Sequence, residues 1–305
     1  MLEITVRTER GTRVVRPDVR TLARLVGRLG DQEGNFLVLQ RVPDLPQQMA
    51  QVWHEAGGAY ELEHRDGGPA EHFRTVLAAP GPVVDALAGW AAREPEWAAG
   101  LSWEPVELPV PAPPPPLELS TEDAKALHEE LRRLLWGGYA DRDRLAMVAV
   151  DYLVRGDERP VSPAQARALA DALWVARVEE QAGWTDRTDP ERVTDVFAEL
   201  RGLGITAEEN FACCRNCGIH EIGGVSAPDA RGYVFFHQQS TDSVVTGGAL
   251  VLHFGQFTDR VGDTEWVGRQ VVAAFGRAGL TAEWDGDPNR AIVVRGLDWR
   301  RRLIG

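Results

Sequence analysis

Residues 35–77, NFLVLQRVPDLPQQMAQVWHEAGGAYELEHRDGGPAEHFRTVL, decide the fold of the first part of the chain. Four strand-like runs occupy residues 35–42, 48–54, 59–65 and 71–77. Gly57-Gly58 and Asp66-Gly67-Gly68 separate neighbouring runs, and tight hairpin turns need residues that accept positive φ. The pattern predicts an antiparallel meander. Upstream, residues 2–6 read as a short strand, and Pro17-Asp18 opens a helix with Leu22, Leu25, Val26 and Leu29 at helical spacing, closed by Gly30. Downstream, Gly81-Pro82 starts an amphipathic helix through Val83, Leu87 and Trp90, and residues 101–108 add a short closing segment. A sheet covered by two helices follows, an α+β domain over residues 1–108.

The run PVPAPPPP at 109–116 lies within a proline-rich linker at 109–118, because proline fixes φ and has no amide hydrogen to give a central ladder. Residues 119–305 are expected to form a second domain. Ser120 with Asp123 marks a helix start, Asp141 to Val154 carries a second helical pattern, Ser162-Pro163 with Gln165 starts a third, and Asp189-Pro190 a fourth. The period then changes to strands at 205–211, 233–239, 249–254, 281–284 and 291–294, interrupted by a helix capped by Asp263. The fold class is α+β throughout: an antiparallel sheet with two helices, then a helical segment followed by a small mixed or antiparallel sheet with helices.

The chain has 305 residues, 33 basic and 46 acidic, with a formal net charge of −13. That balance argues against a nucleic-acid partner, which needs a basic footprint, and is compatible with a basic protein partner. The N-terminal residues show no secretory pattern and no apolar run approaches a membrane span, so a cytoplasmic location without a membrane partner is expected. No nucleophile elbow, phosphate loop, dinucleotide fingerprint or His-Glu-x-x-His occurs.

All three cysteines, Cys213, Cys214 and Cys217, fall in EENFACCRNCG at 208–218. Cys214-x-x-Cys217-x-x-His220 offers soft ligands, and with His237 it makes a candidate zinc set, Cys214, Cys217, His220 and His237, in which His253 could replace a histidine. A reactive thiol and simple burial of the cysteines are the other two readings of the same residues. No other cofactor and no catalytic residue is indicated. In the first domain Glu61, Glu63 and Arg65 alternate with Tyr60, Leu62 and His64, which puts a charged sheet face opposite an apolar one. That face is either solvated or meets a basic partner.

The run FLVLQR, the run AYELEHRDG followed by EHF, the helix ending near Trp90 and the closing LSWEP resemble the deaminase-toxin immunity family of bacterial polymorphic toxin systems. The resemblance covers the first 108 or so residues. It implies a protein that binds and blocks a partner toxin without catalysis, with Glu61, Glu63, Arg65 and Asp66 on the binding surface; together with the net charge of −13 it leads to the expectation of occlusion of a basic toxin domain. About residues 165–303 resemble an uncharacterised bacterial family marked by ENFACCRNCG, GYVFFHQQSTD, LVLHFG and LDWRRRL, which brings no activity with it. The alternatives are a zinc-binding or thiol-dependent enzyme centred on CCRNC, and a purely structural or interaction protein.

Overall fold

A computed structural model describes residues 1–110, 112–258 and 260–304; Pro111, inside the expected linker, and the terminal Gly305 lie outside the described residues. Along the chain the elements are β1 (Ile4–Thr8), β2 (Arg13–Val15), α1 (Val19–Val26), β3 (Phe36–Arg41), β4 (Gln48–His54), β5 (Tyr60–Asp66), β6 (His72–Leu77), α2 (Pro80–Ala92) and β7 (Glu104–Pro105). Then come α3 (Thr121–Gly137), α4 (Arg142–Asp151), α5 (Pro163–Ala182), α6 (Asp189–Gly202), β8 (Ile205–Glu208) and α7 (Arg215–Glu221). The last are β9 (Gly232–Phe235), α8 (Gln238–Val245), β10 (Leu250–Gln256), α9 (Asp263–Arg277), β11 (Ala282–Glu283) and β12 (Ile292–Val294). The α+β class read from the sequence is the observed one: a seven-stranded antiparallel sheet towards the N-terminus and a small mixed sheet towards the C-terminus.

The described chain divides into two compact units that are not contiguous in sequence. The first comprises the described residues of 1–119, 141–178 and 303–304, and the second those of 120–140 and 179–302. The linear division expected at the proline run therefore does not describe the packing: α4 and most of α5 belong with the first sheet.

In the first unit the strand order is β2-β1-β3-β4-β5-β6-β7. Pairings such as Val52 with Leu62 and Leu37 with Val52 place the alternate apolar residues of β3, β4 and β5 on one face. With Ile4 and Val6 these residues are fully or almost fully buried, in one core with Leu22 and Leu25 of α1 and Leu87 and Trp90 of α2. Each such side chain contributes about 1.5–3 kcal/mol on leaving water. The β4–β5 hairpin turns at Gly57, whose φ of 82° is strained for residues with a Cβ. Arg41, at the end of β3, donates to the Trp90 carbonyl at 2.8 Å with its guanidinium 4.2 Å from the Trp90 ring, giving the C-terminal end of α2 a cation and a donor.

Two further ties hold the returning helices in this unit. Asp141 caps α4 and accepts from Arg7 of β1 at 3.1 Å. The Trp174 indole of α5 donates to the Asp44 carbonyl at 2.7 Å. The C-terminal part of the proline run is tied down as well, since the Gln165 side chain donates to the carbonyls of Pro115 and Pro116.

In the second unit the strand order is β11-β12-β10-β9-β8, with β8 and β9 parallel and the other pairs antiparallel. A parallel pair needs a crossover, and residues 209–231 supply it with α7 inside. One sheet face, carrying Ala207, Val234 and Leu252, forms a core with Phe197 of α6 and Val271 and Phe275 of α9. Glu208, Phe235 and His253 are register partners, so they share the other face.

Three local expectations are corrected. The run 233–239 is not one strand: β9 ends at Phe235, and His237 caps α8 by accepting from the Ser240 amide at 3.2 Å. An imidazole outside the usual capping set hid that helix start. The run 205–211 stops at Glu208, because Asn210 and Ala212 take positive φ of 50° and 58°. Gly262, with φ 88°, precedes α9 as its cap, while the Asp263 carboxylate takes two donors from Arg231, at 2.5 and 3.0 Å, instead of capping.

Candidate functional site

The site lies in the second unit, on the sheet face opposite the core. The chain leaves β8 through a turn pinned at both sides: the Phe211 amide donates to the Phe236 carbonyl at 2.8 Å, and the Gln238 amide to the Ala212 carbonyl at 3.1 Å. Thr241 adds a hydrogen bond to the Asn210 side chain at 2.7 Å. A left-handed Ala212 costs about 1–2 kcal/mol, and these bonds hold the turn in that conformation. Cys213 and Cys214 follow at once, with Cys214 at the cap position of α7 and Cys217 one turn in.

The three ligand sulfurs of Cys213, Cys214 and Cys217 lie within 4.8 Å of one another. All three cysteines are free thiols; Cys213 is exposed and the other two are half-buried. Hydrogen bonding from the Cys217 backbone amide, aided by the neighbouring thiols, holds the Cys214 thiol below its usual pKa. Cys217, sharing hydrogen bonds with Cys213 and Cys214 and facing their charge, is pushed up to about 11. Cys214 thus becomes a thiolate, the form that attacks electrophiles and binds metals, more readily than Cys217.

Of the residues expected to complete a metal shell, the structure brings Cys214 and Cys217 together and adds Cys213. His220 and His237 stand outside this cluster, which comprises the three cysteines alone among the described residues. His220 is in the last turn of α7 and exposed. His237 is buried in its capping role, with burial lowering its pKa. It stacks on His253 with ring centroids 5.1 Å apart and planes 18° apart. Burial, followed by the nearby His237 and Arg215, lowers the His253 pKa to about 4, so His253 is a neutral imidazole near neutral pH.

Phe235 anchors the helix that carries the thiols. Its ring packs where a side chain on Gly218 would sit, and it also meets His253 at 5.5 Å and Phe211 at 5.9 Å between centroids. Beside it, Arg215, Ile219, Tyr233 and His253 line a cavity of about 360 Å³. Tyr233 was readable only as a strand aromatic, and Arg215 had no signal in the sequence beyond its place between two cysteines.

In the first unit, Glu61, Glu63 and Arg65 lie on the sheet face opposite the core, as their alternation required. Their side chains are tied into a network. Gln51 donates to Glu63 at 2.5 Å, the Glu63 carboxylate bonds His72 Nε2 at 2.9 Å, and Arg65 donates to His72 Nδ1 at 3.1 Å and to Gln47 at 2.8 Å. Asp66, at the end of β5, is exposed. Paired residues Phe36, Trp53, Glu61 and Val76 form a row across β3 to β6, and Phe36, Trp53 and Val76 are 39%, 39% and 58% exposed.

No helix among the described residues is long and apolar enough to cross a membrane. No curated protein and no solved structure matches the chain. One family does match, over residues 120–303, and its description is Domain of unknown function (DUF6891). The match takes in α3 to β12 with the cysteine cluster and the sheet face behind it, more than half of the chain, and the protein belongs to the DUF6891 family.

Proposed function

We propose that the family domain is a cytoplasmic metal-binding module that takes zinc, or a cation of similar softness, on the thiolates of Cys213, Cys214 and Cys217. The observation that carries this reading is the convergence of three sulfurs within 4.8 Å. A zinc–sulfur bond of about 2.3 Å puts sulfurs about 3.8 Å apart around a tetrahedral ion, inside that limit. Three protein ligands leave one position for water or an exogenous ligand, the arrangement of zinc centres that do chemistry and not of closed structural ones. A reducing compartment keeps such thiols available to the metal. Cobalt(II) titration of the reduced protein tests the reading. A thiolate-to-cobalt charge-transfer band saturating at one ion per chain, and absent from the Cys213→Ser/Cys214→Ser/Cys217→Ser variant, is expected. A protein that gives no such band, or that closes a stable Cys214–Cys217 disulfide in a cytosol-like thiol buffer, contradicts it.

A second reading concerns the first unit, as an immunity-type module that occludes a basic toxin domain. What supports it is the exposed row of Phe36, Trp53, Glu61 and Val76 beside the ordered Glu63–His72–Arg65 network, in a chain of net charge −13. Large apolar side chains beside fixed carboxylates suit a partner with a positive rim. Co-purification of the full chain with toxin domains encoded beside it, and loss of that capture in Trp53→Ser/Glu61→Arg, is the expected result. Failure of every such toxin to co-purify sinks this reading.

A further inference from the structure

The cavity beside α7 has a chemistry of its own. Its polar lining consists of Arg215, Tyr233, His253, Asn289 and Arg290, and no carboxylate lines it, although the chain has 46 acidic residues against 33 basic ones. Arg290 is held by Asp285 at 2.6 Å, so its charge is largely compensated. The Arg215 side chain makes no ion pair or hydrogen bond among the described residues, and its charge bears on both the Tyr233 phenol and the His253 ring. Neither the phenol oxygen nor the His253 ring nitrogens have a hydrogen-bonding partner among the described residues. Ile219, Pro288 and Ala291 complete the wall with apolar surface, whereas the Phe254 ring points to the core face of the sheet. A volume of about 360 Å³ is at the small-ligand end of natural binding pockets, which run from about 300 to 1,000 Å³.

We propose that this cavity binds a small molecule with a flat apolar body and one anionic group, a carboxylate or a phosphate, held by the guanidinium of Arg215 with the Tyr233 hydroxyl donating alongside. A planar guanidinium presents two parallel donors to such an anion, and a wall without competing carboxylates leaves that fork available. Neutral His253 presents one donor and one acceptor to the rest of the ligand. The apolar wall takes the flat body. The inference goes beyond the metal reading and does not need the metal.

The test uses the full chain with benzoate, phenyl phosphate and the neutral benzamide as probes, followed by calorimetry and by chemical-shift changes at Tyr233 and His253. At least one anion is expected to bind about tenfold or more tightly than benzamide, and Arg215→Gln is expected to remove that preference. Ala291→Trp, which fills the cavity from its apolar side, is expected to abolish binding of all probes while thermal unfolding stays cooperative. Equal binding of benzamide, unchanged affinity in Arg215→Gln, or no shift with either anion overturns the proposal. In the triple cysteine-to-serine variant the anion still binds, so failure here and failure of the metal reading are told apart.

Discussion

A Cβ built on Gly218 would lie 2.3 Å from Cε2 of Phe235, closer than any real side chain stands. The helix carrying Cys214 and Cys217 is therefore seated on the sheet through a position that only glycine fits. In Gly218→Ala either the Phe235 ring or α7 must move, and overpacking of this kind costs about 1–3 kcal/mol. Urea unfolding is expected to show that loss. Because the displaced helix carries two of the three sulfurs, cobalt affinity is expected to fall at least tenfold in the folded variant, whereas unchanged affinity would show that the seat does not position the thiols.

Arg142 of α4 is the counter-ion that keeps a buried carboxylate in the first unit. It reaches Asp44 at 2.6 Å and Asp171 at 2.8 Å, and the Asp44 side chain is only 4% exposed. Burial raises the Asp44 pKa in spite of this partner. Arg142→Met leaves the carboxylate buried without its cation, which is expected to lower stability by about 3–5 kcal/mol near neutral pH. Since a neutral Asp44 no longer needs the cation, the deficit should shrink as the pH falls and Asp44 takes up a proton. A deficit below 1 kcal/mol (roughly the value of an exposed pair) would show that α4 is not held through this contact.

The Asp263 carboxyl is shifted in the opposite direction from Asp44. Hydrogen bonds from Arg231 and from the Thr258 hydroxyl hold its carboxyl below the usual carboxylate range. A depressed folded-state pKa stabilises the fold above the unfolded value, and that contribution is lost as the pH falls through the folded one. Thermal unfolding of the native chain and of Asp263→Asn, compared from about pH 7 to about pH 3, should show the native chain more stable at the upper end and the gap closing towards the lower. A gap that widens on acidification would refute the assignment.

The first sheet was legible in the sequence because its strands alternate with period two between glycine turns; β3 to β6 fall within a residue or so of the expected runs. β2 was missed, since three residues between Thr12 and Arg16 carry too little pattern to stand out. The return of α4 and α5 to the first unit was hidden for a different reason. An amphipathic pattern says that a helix has a face to bury, and Trp174 and Arg142 do not announce that Asp44 is what they reach.

At the site, Cys214 and Cys217 were readable as a Cys-x-x-Cys pair, although the helix α7 that carries them was not. Cys213, adjacent to Cys214, was not part of the candidate zinc set. It joins the cluster because it precedes the helix, after left-handed Asn210 and Ala212, and is not governed by helical spacing. His237 was expected on a strand and instead caps a helix, which spends its Nδ1 on the Ser240 amide.

Elemental analysis of the native chain, purified without chelator and under reducing conditions, tests the central claim most directly. One zinc per chain, absent from the Cys213→Ser/Cys214→Ser/Cys217→Ser variant at equal solubility, is the result the three-sulfur site predicts. Protein that is folded and fully reduced yet holds no stoichiometric zinc, or that holds the same amount after all three thiols are removed, contradicts it.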